Sequence, residues 1–441
     1  MRMRRIVLGF VAATTAAWLF GLWADPPAMN GRGISHEVFY WNGVLAWGFM
    51  AMAIVIAARP AWLERVTKTP LDELYRWHRT LGFWALGLSV VHWVTKTLMQ
   101  PILSLMTLDP VPKIVRGELA GFDLFWSQIR PFAVDSSIWA TAIALLLGAM
   151  VFVKAIRYSK WLLWHKLFSV LFILLSVHSI RLMDPADAFL PLGWINIAVT
   201  LIGLRYSAVL LVRGAGREKT VKAAVTDVRV DRDVTLLTVR PEKPLSVRPG
   251  EFAFLATDGE EKHPFSVASV RPDGTLLFAV KALGDYTTNT VPTIAAGDVV
   301  SVEGPWGAFT PAFLEGDAQK KPRHEVWVAG GIGIAPIYAW LESAAKEENA
   351  APYAKLVWCI RDRTAEPLFG QVEWLAKKAG VDLRVVESKT ARLDAAALFR
   401  EGLPESLALC AGAGLSSAVI DAYLKAGGER SAVRREHFDW R

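Results

Sequence analysis

Six stretches, near residues 6–24, 37–58, 77–98, 136–154, 162–181 and 189–212, are apolar and long enough to cross a bilayer core, which takes about 20 helical residues. They all lie before residue 213, and the remainder has the texture of ordinary water-soluble sequence. This uneven distribution excludes a single soluble globule and a disordered chain. It also raises the hydrophobic share to 53% and holds the charged share to 21%, outside the usual soluble balance of about 45–50% and about 25%.

Lysine and arginine orient the segments. Arg2, Arg4 and Arg5 precede the first, and Arg59, Arg65, Lys68, Arg76 and Arg79 surround the second connection. Lys154, Arg157, Lys160 and Lys166 mark the fourth, and Arg213, Arg217 and Lys219 follow the sixth segment. The other connections are poorer: Arg32 in the first, Arg181 in the fifth, and Lys96, Lys113, Arg116 and Arg130 along the long third. The positive-inside rule then predicts a multi-pass protein of the cytoplasmic (inner) membrane with both termini in the cytoplasm. The net charge of +7 is accounted for by these loops, not by a nucleic-acid surface. A cleaved signal peptide ending near Ala24-Asp25-Pro26 is the alternative reading of the first segment, and it leaves the downstream orientation unchanged. Tryptophans near segment ends, such as Trp23, Trp41, Trp62, Trp161 and Trp194, fit interfacial belts.

Four of the eight histidines fall inside two predicted membrane helices. His78 and His92 are fourteen residues apart on the third; His165 and His178 are thirteen apart on the fifth. An ionisable side chain in hydrocarbon is costly and is a functional candidate by default. A lone membrane histidine is also explained by a helix–helix hydrogen bond, but two matched pairs are harder to explain that way. Both helices run outward from the cytoplasm, so His78 and His165 share the inner level and His92 and His178 the outer. At 1.5 Å per residue the levels are about 20 Å apart, which leaves room for two stacked porphyrins with two axial imidazoles each. Zinc would need three or four ligands at one level. On an ideal helix fourteen residues return to within about 40°, whereas thirteen miss by about 140°. The fifth helix is therefore expected to tilt, twist or carry a π-type bulge between its histidines. Phe83, Trp84, Phe168 and Phe172 lie between the levels, with Phe172 nearest the middle. Arg181 on the outer side, and Arg76, Arg79 and Lys166 on the inner, are candidates for haem propionates, or they snorkel to the interface.

From about residue 218 the chain reads as short β-rich runs. Val221–Arg229, Asp233–Arg240, Glu251–Ala256 and Thr275–Lys281 are punctuated by Gly250, Asp273-Gly274 and Gly297-Asp298, the pattern of a small antiparallel barrel. Within it stand His263-Pro264-Phe265-Ser266, Gly284-Asp285-Tyr286-Thr287 and Glu303-Gly304-Pro305-Trp306-Gly307. A polar linker, Glu315–Arg323, leads to Val326-Trp327-Val328-Ala329-Gly330-Gly331-Ile332-Gly333-Ile334-Ala335-Pro336. This is a buried strand, a glycine turn and a helix start, an arrangement that binds pyrophosphate through backbone N–H groups. Further strands at Lys355–Ile360, Leu383–Val386 and Leu407–Cys410 alternate with helices, as in a parallel α/β nucleotide domain. The two cysteines, Cys359 and Cys410, are too few for a four-thiolate iron–sulfur cluster or a disulfide framework. The chain holds neither a G-x-x-x-x-G-K-[ST] phosphate loop nor a calcium-loop pattern.

The paired spacings of fourteen and thirteen, together with His-Pro-Phe-Ser, Gly-Asp-Tyr-Thr, Glu-Gly-Pro-Trp-Gly and Gly-Gly-Ile-Gly-Ile-Ala-Pro in that order, resemble the NADPH oxidase and ferric reductase superfamily. The resemblance covers nearly the whole chain. It implies a six-helix transmembrane bundle (1–213), an antiparallel β-barrel FAD domain (218–312) and an α/β NAD(P)-binding domain (322–441). It implies that His263, Pro264, Phe265 and Ser266 hold the flavin, with Phe265 against the rings and Ser266 near the reactive nitrogen. Gly284, Asp285, Tyr286 and Thr287 would contact FAD phosphate or ribose. Gly330, Gly331, Gly333 and Pro336 would cradle the nicotinamide dinucleotide, Cys410 would sit by the nicotinamide, and Arg361 would meet a 2′-phosphate. Two features depart from the family: Ala411-Gly412 follows Cys410 where Gly-Pro is usual, and the C-terminal aromatic is Trp440, with Phe438 as the alternative.

The expected activity is transfer of electrons from cytosolic NADPH, with NADH second, through FAD and two b-type haems to an outer acceptor. Oxygen is the leading expectation for that acceptor; a ferric chelate or a periplasmic redox protein are the others. His36 and Arg181, near the outer surface, are candidates for an acceptor pocket. The competing class is a histidine-containing membrane transporter or scaffold without redox activity.

Overall fold

The computed structural model describes residues 2–27, 31–99, 102, 121–153, 158–183, 187–257, 261–311, 324–346, 351 and 353–436. Lys113, Arg116, Lys154, Arg157, the linker 315–323, Phe438 and Trp440 lie outside the described residues. The chain forms two compact units, Met1–Thr69 with Glu73–Glu218 and Pro70–Asp72 with Lys219–Arg441.

The first unit is helical. Its principal helices are α1 (Arg2–Ala24), α2 (Gly31–Ala58), α3 (Leu71–Val94), α4 (Gly121–Ala149), α5 (Tyr158–His165), α6 (Leu167–Arg181) and α7 (Pro191–Val212). Among the described residues five spans are long and apolar enough to cross a membrane: Arg2–Ala24, Gly33–Ala58, Leu124–Phe152, Lys160–Arg181 and Pro191–Val212. The histidine-bearing α3 is not among them; it carries Asp72, Glu73, Arg76 and Arg79 in its first turns and the polar His78 and His92 beyond. Helix α2 is mostly buried, whereas at most 22% of each of the other spans is buried. Large apolar side chains such as Trp139, Phe152 and Val212 face outward, the pattern expected where hydrocarbon is the solvent. Small residues permit the close approaches: a Cβ on Gly48 would lie 2.1 Å from the Phe10 ring, and one on Gly203 2.0 Å from the Phe172 ring.

The second unit opens with a closed barrel of strands β1 (Thr220–Asp231), β2 (Val234–Pro241), β3 (Phe252–Thr257), β4 (His263–Val270), β5 (Leu276–Lys281) and β6 (Val299–Trp306), in the order β1-β2-β5-β4-β3-β6. Val225, Leu237, Val239, Leu255, Phe278 and Val302 fill its interior. Closure leaves no sheet edge exposed. Glu303 is fully buried, accepting from Lys262 Nζ at 2.9 Å and from Trp306 Nε1 at 3.2 Å, the pairing that a buried charge requires.

A parallel sheet follows, built from β7 (Glu325–Gly330), β8 (Ala354–Ile360), β9 (Asp382–Glu387), β10 (Ser406–Cys410) and β11 (Val433–Arg435), in the order β11-β10-β7-β8-β9. Helices α8 (Ile334–Ala344), α9 (Phe369–Ala379) and α10 (Ala413–Lys425) connect its strands. The chain runs outward from β7 to β9 and then returns to β10 on the other side of β7. The order therefore reverses between β7 and β10, and ligands of such sheets bind in that crevice, at the carboxyl ends of the strands.

Candidate functional site

The histidines meet in two pairs. The His78 and His165 rings are 5.8 Å apart at 67°, and the His92 and His178 rings 6.3 Å apart at 75°. The break needed for both α5–α6 histidines to face α3 is present: α5 ends at His165, Lys166 interrupts the helix, and α6 begins at Leu167. The Ser169 N–H bonds to the Lys166 carbonyl, an i→i+3 step, at 3.1 Å. The distortion is thus a tightened turn beside the first histidine. A π-type turn does occur, but on the other helix, at Thr95–Met99 just beyond His92.

Three of the four imidazoles are anchored through Nδ1. His78 donates to the Ala53 carbonyl at 2.9 Å, His92 to Phe39 at 2.9 Å, and His178 to Ala133 at 3.1 Å. A ring held in this way presents Nε2 as a neutral lone pair, as metal-ligating histidines do. Nδ1 of His165 is buried without a hydrogen-bond partner among the described residues, and its ring stacks on Trp161 with centroids 4.6 Å apart. Two imidazoles on opposite sides of one metal, each bonded at about 2.0 Å, have ring centres about 6 Å apart, and both pairs have that separation. Among the described residues no three metal-binding side chains cluster, so a metal held here would take its remaining ligands from outside these side chains.

Helix α2 holds residues that the histidine spacing does not reveal. Trp47, between the levels of Phe39 and Ala53, stacks on the fully buried Phe172 at 3.8 Å and 7°, and its Nε1 donates to Thr200 Oγ1 at 2.8 Å. Gly43 lies against His92, where a Cβ would come within 3.0 Å of Nδ1. Arg59 is buried and donates to the Tyr75 hydroxyl at 2.8 Å, beside His78. These residue types are ordinary in a membrane helix, and only the fold brings them to the histidines. Arg181 donates from Nε to the Trp126 carbonyl at 2.6 Å; Phe83 and Trp84 are exposed.

In the second unit His263-Pro264-Phe265-Ser266 begins β4, paired with β3 in the register His263↔Leu255 to Ser266↔Phe252. Gly284-Asp285-Tyr286-Thr287 opens a short helix, Asp285–Asn289. The fold brings the two motifs together, since the His263 and Tyr286 rings stack at 4.0 Å and 17°. Thr287 Oγ1 accepts from the N–H groups of Leu283 (2.9 Å) and Gly284 (3.0 Å), so this hydroxyl closes the turn. Burial holds the His263 imidazole below its usual 6.5.

Gly330, Gly331 and Gly333 lie between β7 and α8, with Pro336 buried in the first turn of that helix. Gly331 has φ +52°. A Cβ on Gly333 would lie 2.0 Å from the Cys410 carbonyl oxygen, so glycine is required for the loop to seat against β10. Cys410 itself is fully buried at the end of β10, and burial pushes its thiol well above the usual range. It forms the floor of the crevice and presents no sulfur to solvent. Arg361 is exposed at the end of β8, next to an Arg363–Glu387 pair at 2.7 Å and a Lys389–Asp362 pair at 2.5 Å.

Residues 42–176 match the family model of the ferric reductase like transmembrane component. Dual oxidase 1 of Homo sapiens is 23% identical over 357 residues, covering 74% of this chain and 21% of that protein. That coverage exceeds either unit, so it spans both. Respiratory burst oxidase homolog protein D of Solanum tuberosum is 27% identical over 38% of this chain and 21% of its own length. The probable dihydroorotate dehydrogenase B (NAD(+)) electron transfer subunit of Methanocaldococcus jannaschii is 29% identical over 30% of this chain and 45% of its own. The chain thus spans less than half the length of these relatives. Fold and likeness together define a membrane protein in which a ferric-reductase-type helical domain precedes a flavin and nicotinamide reductase-type module. The chain is thus similar to the NADPH oxidase and ferric reductase superfamily across both units.

Proposed function

We propose that this protein carries electrons from cytosolic NADPH, or NADH, through FAD and two b-type haems to an acceptor on the far side of the cytoplasmic membrane. The two histidine pairs at bonding separation carry the reading. His78 with His165 would hold the inner haem and His92 with His178 the outer, and two imidazoles for each haem would suit electron transfer better than ligand binding. The carbonyls of Ala53, Phe39 and Ala133 fix the ring orientations, and the stacked Trp47 and Phe172 lie between the levels. FAD supplies the conversion of a two-electron hydride into single electrons. Phe265, Ser266, His263 and Tyr286 would position its rings, Pro264 would shape the strand beneath them, and Gly284 and Asp285 would lie toward its phosphate or ribose. Gly330, Gly331, Gly333 and Pro336 would hold the dinucleotide over Cys410, with Arg361 toward a 2′-phosphate. Trp440 would cover the flavin.

Oxygen is the leading acceptor in this reading, ahead of a ferric chelate or a periplasmic redox protein, and its reduction by one electron yields superoxide. The purified, haem- and FAD-loaded protein should hold two haems per chain, and His92→Ala should hold one while NADPH still reduces FAD. A haem content unchanged by His92→Ala would refute the assignment. Cytochrome c reduction by NADPH in air, with and without superoxide dismutase, tests the acceptor. A large dismutase-sensitive rate supports oxygen, and full anaerobic haem reduction with little superoxide in air rejects it.

A further inference from the structure

The four histidines are not held alike. His78, His92 and His178 each lie inside a helix and give Nδ1–H to a backbone carbonyl. His165 is instead the last residue of the eight-residue α5, at the break marked by Lys166. Its Nδ1 is buried and, among the described residues, meets no hydrogen-bond partner. Besides His78, the rings beside it are Trp161, stacked at 4.6 Å and 22°, and Phe168, at 5.0 Å and 59°. The short helix that carries it is peripheral, with Leu163 and Trp164 exposed.

This difference bears on how firmly each imidazole would stay on a metal. A neutral ring that bonds through Nε2 keeps its proton on Nδ1. For three of the rings a carbonyl takes that proton, and losing such a partner typically costs about ten- to hundredfold in metal affinity. At His165 the same bond would leave a buried N–H without an acceptor, which is costly. Off the metal the proton is free to occupy either nitrogen, and the penalty is relieved. Trp161, one turn back on the same helix, still covers the ring, and stacking holds its plane without fixing the direction of Nε2.

We propose that the inner level is a ligand-exchange site, at which His165 gives way to a small neutral ligand of the carbon monoxide class. The outer level, anchored on both sides, stays closed to it. The proposal rests on the haem reading above. In the exchange one nitrogen–iron bond breaks and one carbon–iron bond forms, and no electron or proton leaves the site. The aromatic slot between Trp161 and Phe168 favours a neutral ligand over an anion.

The full-length, haem- and FAD-loaded protein, reduced with dithionite without air, is mixed with carbon monoxide and followed at the Soret band. One carbon monoxide per two haems is expected. Its binding rate should level off as the gas concentration rises, because departure of His165 limits it. His165→Ala should bind the same amount about tenfold faster or more, at a rate proportional to gas concentration, whereas His178→Ala should keep the slow phase of the parent. Uptake by neither haem or by both, or a slow phase removed by His178→Ala and not by His165→Ala, overturns the proposal. If His165→Ala does not keep its inner haem, the parent decides. Half occupancy with a levelling rate supports the exchange, and a rate proportional to gas concentration in the parent overturns it, since the iron would then be open from the start. Haem content is measured first: fewer than two haems per chain in the parent refutes the haem reading, whereas two haems that both ignore carbon monoxide refute this site alone.

Discussion

Gly43 leaves a space that the His92 ring occupies: a Cβ there would stand 3.0 Å from Nδ1 and 3.1 Å from Cε1. The ring is already tied to the Phe39 carbonyl at 2.9 Å, so it can yield only by giving up that bond. Gly43→Val should therefore release the outer haem and retain the inner, lowering haem content from two per chain to one. Two retained haems in this variant would show that His92 has freedom the packing denies it. His263 gives a second residue-scale expectation. Its imidazole is held below the usual 6.5 by burial, so the folded state binds this proton less tightly than the unfolded chain. The stability at stake is complete above about pH 6.5 and is lost as the pH falls below it. His263→Gln should shrink the drop in melting temperature between about pH 7.5 and about pH 5, followed by the release of flavin fluorescence. An unchanged drop would mean that His263 does not resist protonation in the fold.

Among the elements, α7 and α6 are fitted to each other at one point. A Cβ on Gly203 would lie 2.0 Å from Cζ of Phe172, and Phe172 in turn stacks on Trp47. Gly203→Val should push Phe172 off Trp47 and cost about 1–3 kcal/mol of overpacking, lowering the temperature at which the Soret band of the loaded protein is lost. No change would place the contact outside the stabilising core. Phe172 was legible beforehand from its place between two spaced histidines, and so was the need for a break in its helix. Trp47, Gly43 and Arg59 were not, because a central membrane helix is apolar all round and carries no period that marks one face. In the second unit, β1, β2, β3 and β5 were legible from alternation and β-branched content. β4 and β6 stood out only as motifs, since Pro264 and Pro305 cannot donate to a ladder and read as strand breakers. The floor role of Cys410 depends on the Gly333 contact, which joins residues 77 positions apart in sequence, and no local pattern records it.

At the scale of the whole molecule, the chain leaves α7 at the end carrying His78 and His165 and enters the barrel within a few residues, at Thr220. In the proposed reading electrons enter at the His78 and His165 level and leave at the His92 and His178 level. Electrons following that order cross the bilayer without a compensating ion and so build a potential that opposes further transfer, by about 2.3 kcal/mol per electron per 100 mV. In vesicles with the reductase unit outside, external NADPH should reduce cytochrome c trapped in the lumen. The rate should decline as the charge separation builds and recover severalfold when an ionophore collapses the potential. Replacing His78 by Ala should abolish reduction of the trapped acceptor while external NADPH still reduces the flavin, because the step from flavin to the inner level alone is interrupted. If only acceptors on the NADPH side are ever reduced, the two histidine levels do not form a transmembrane path, and the helical unit would have to serve the reductase module in some way other than electron transport across the bilayer.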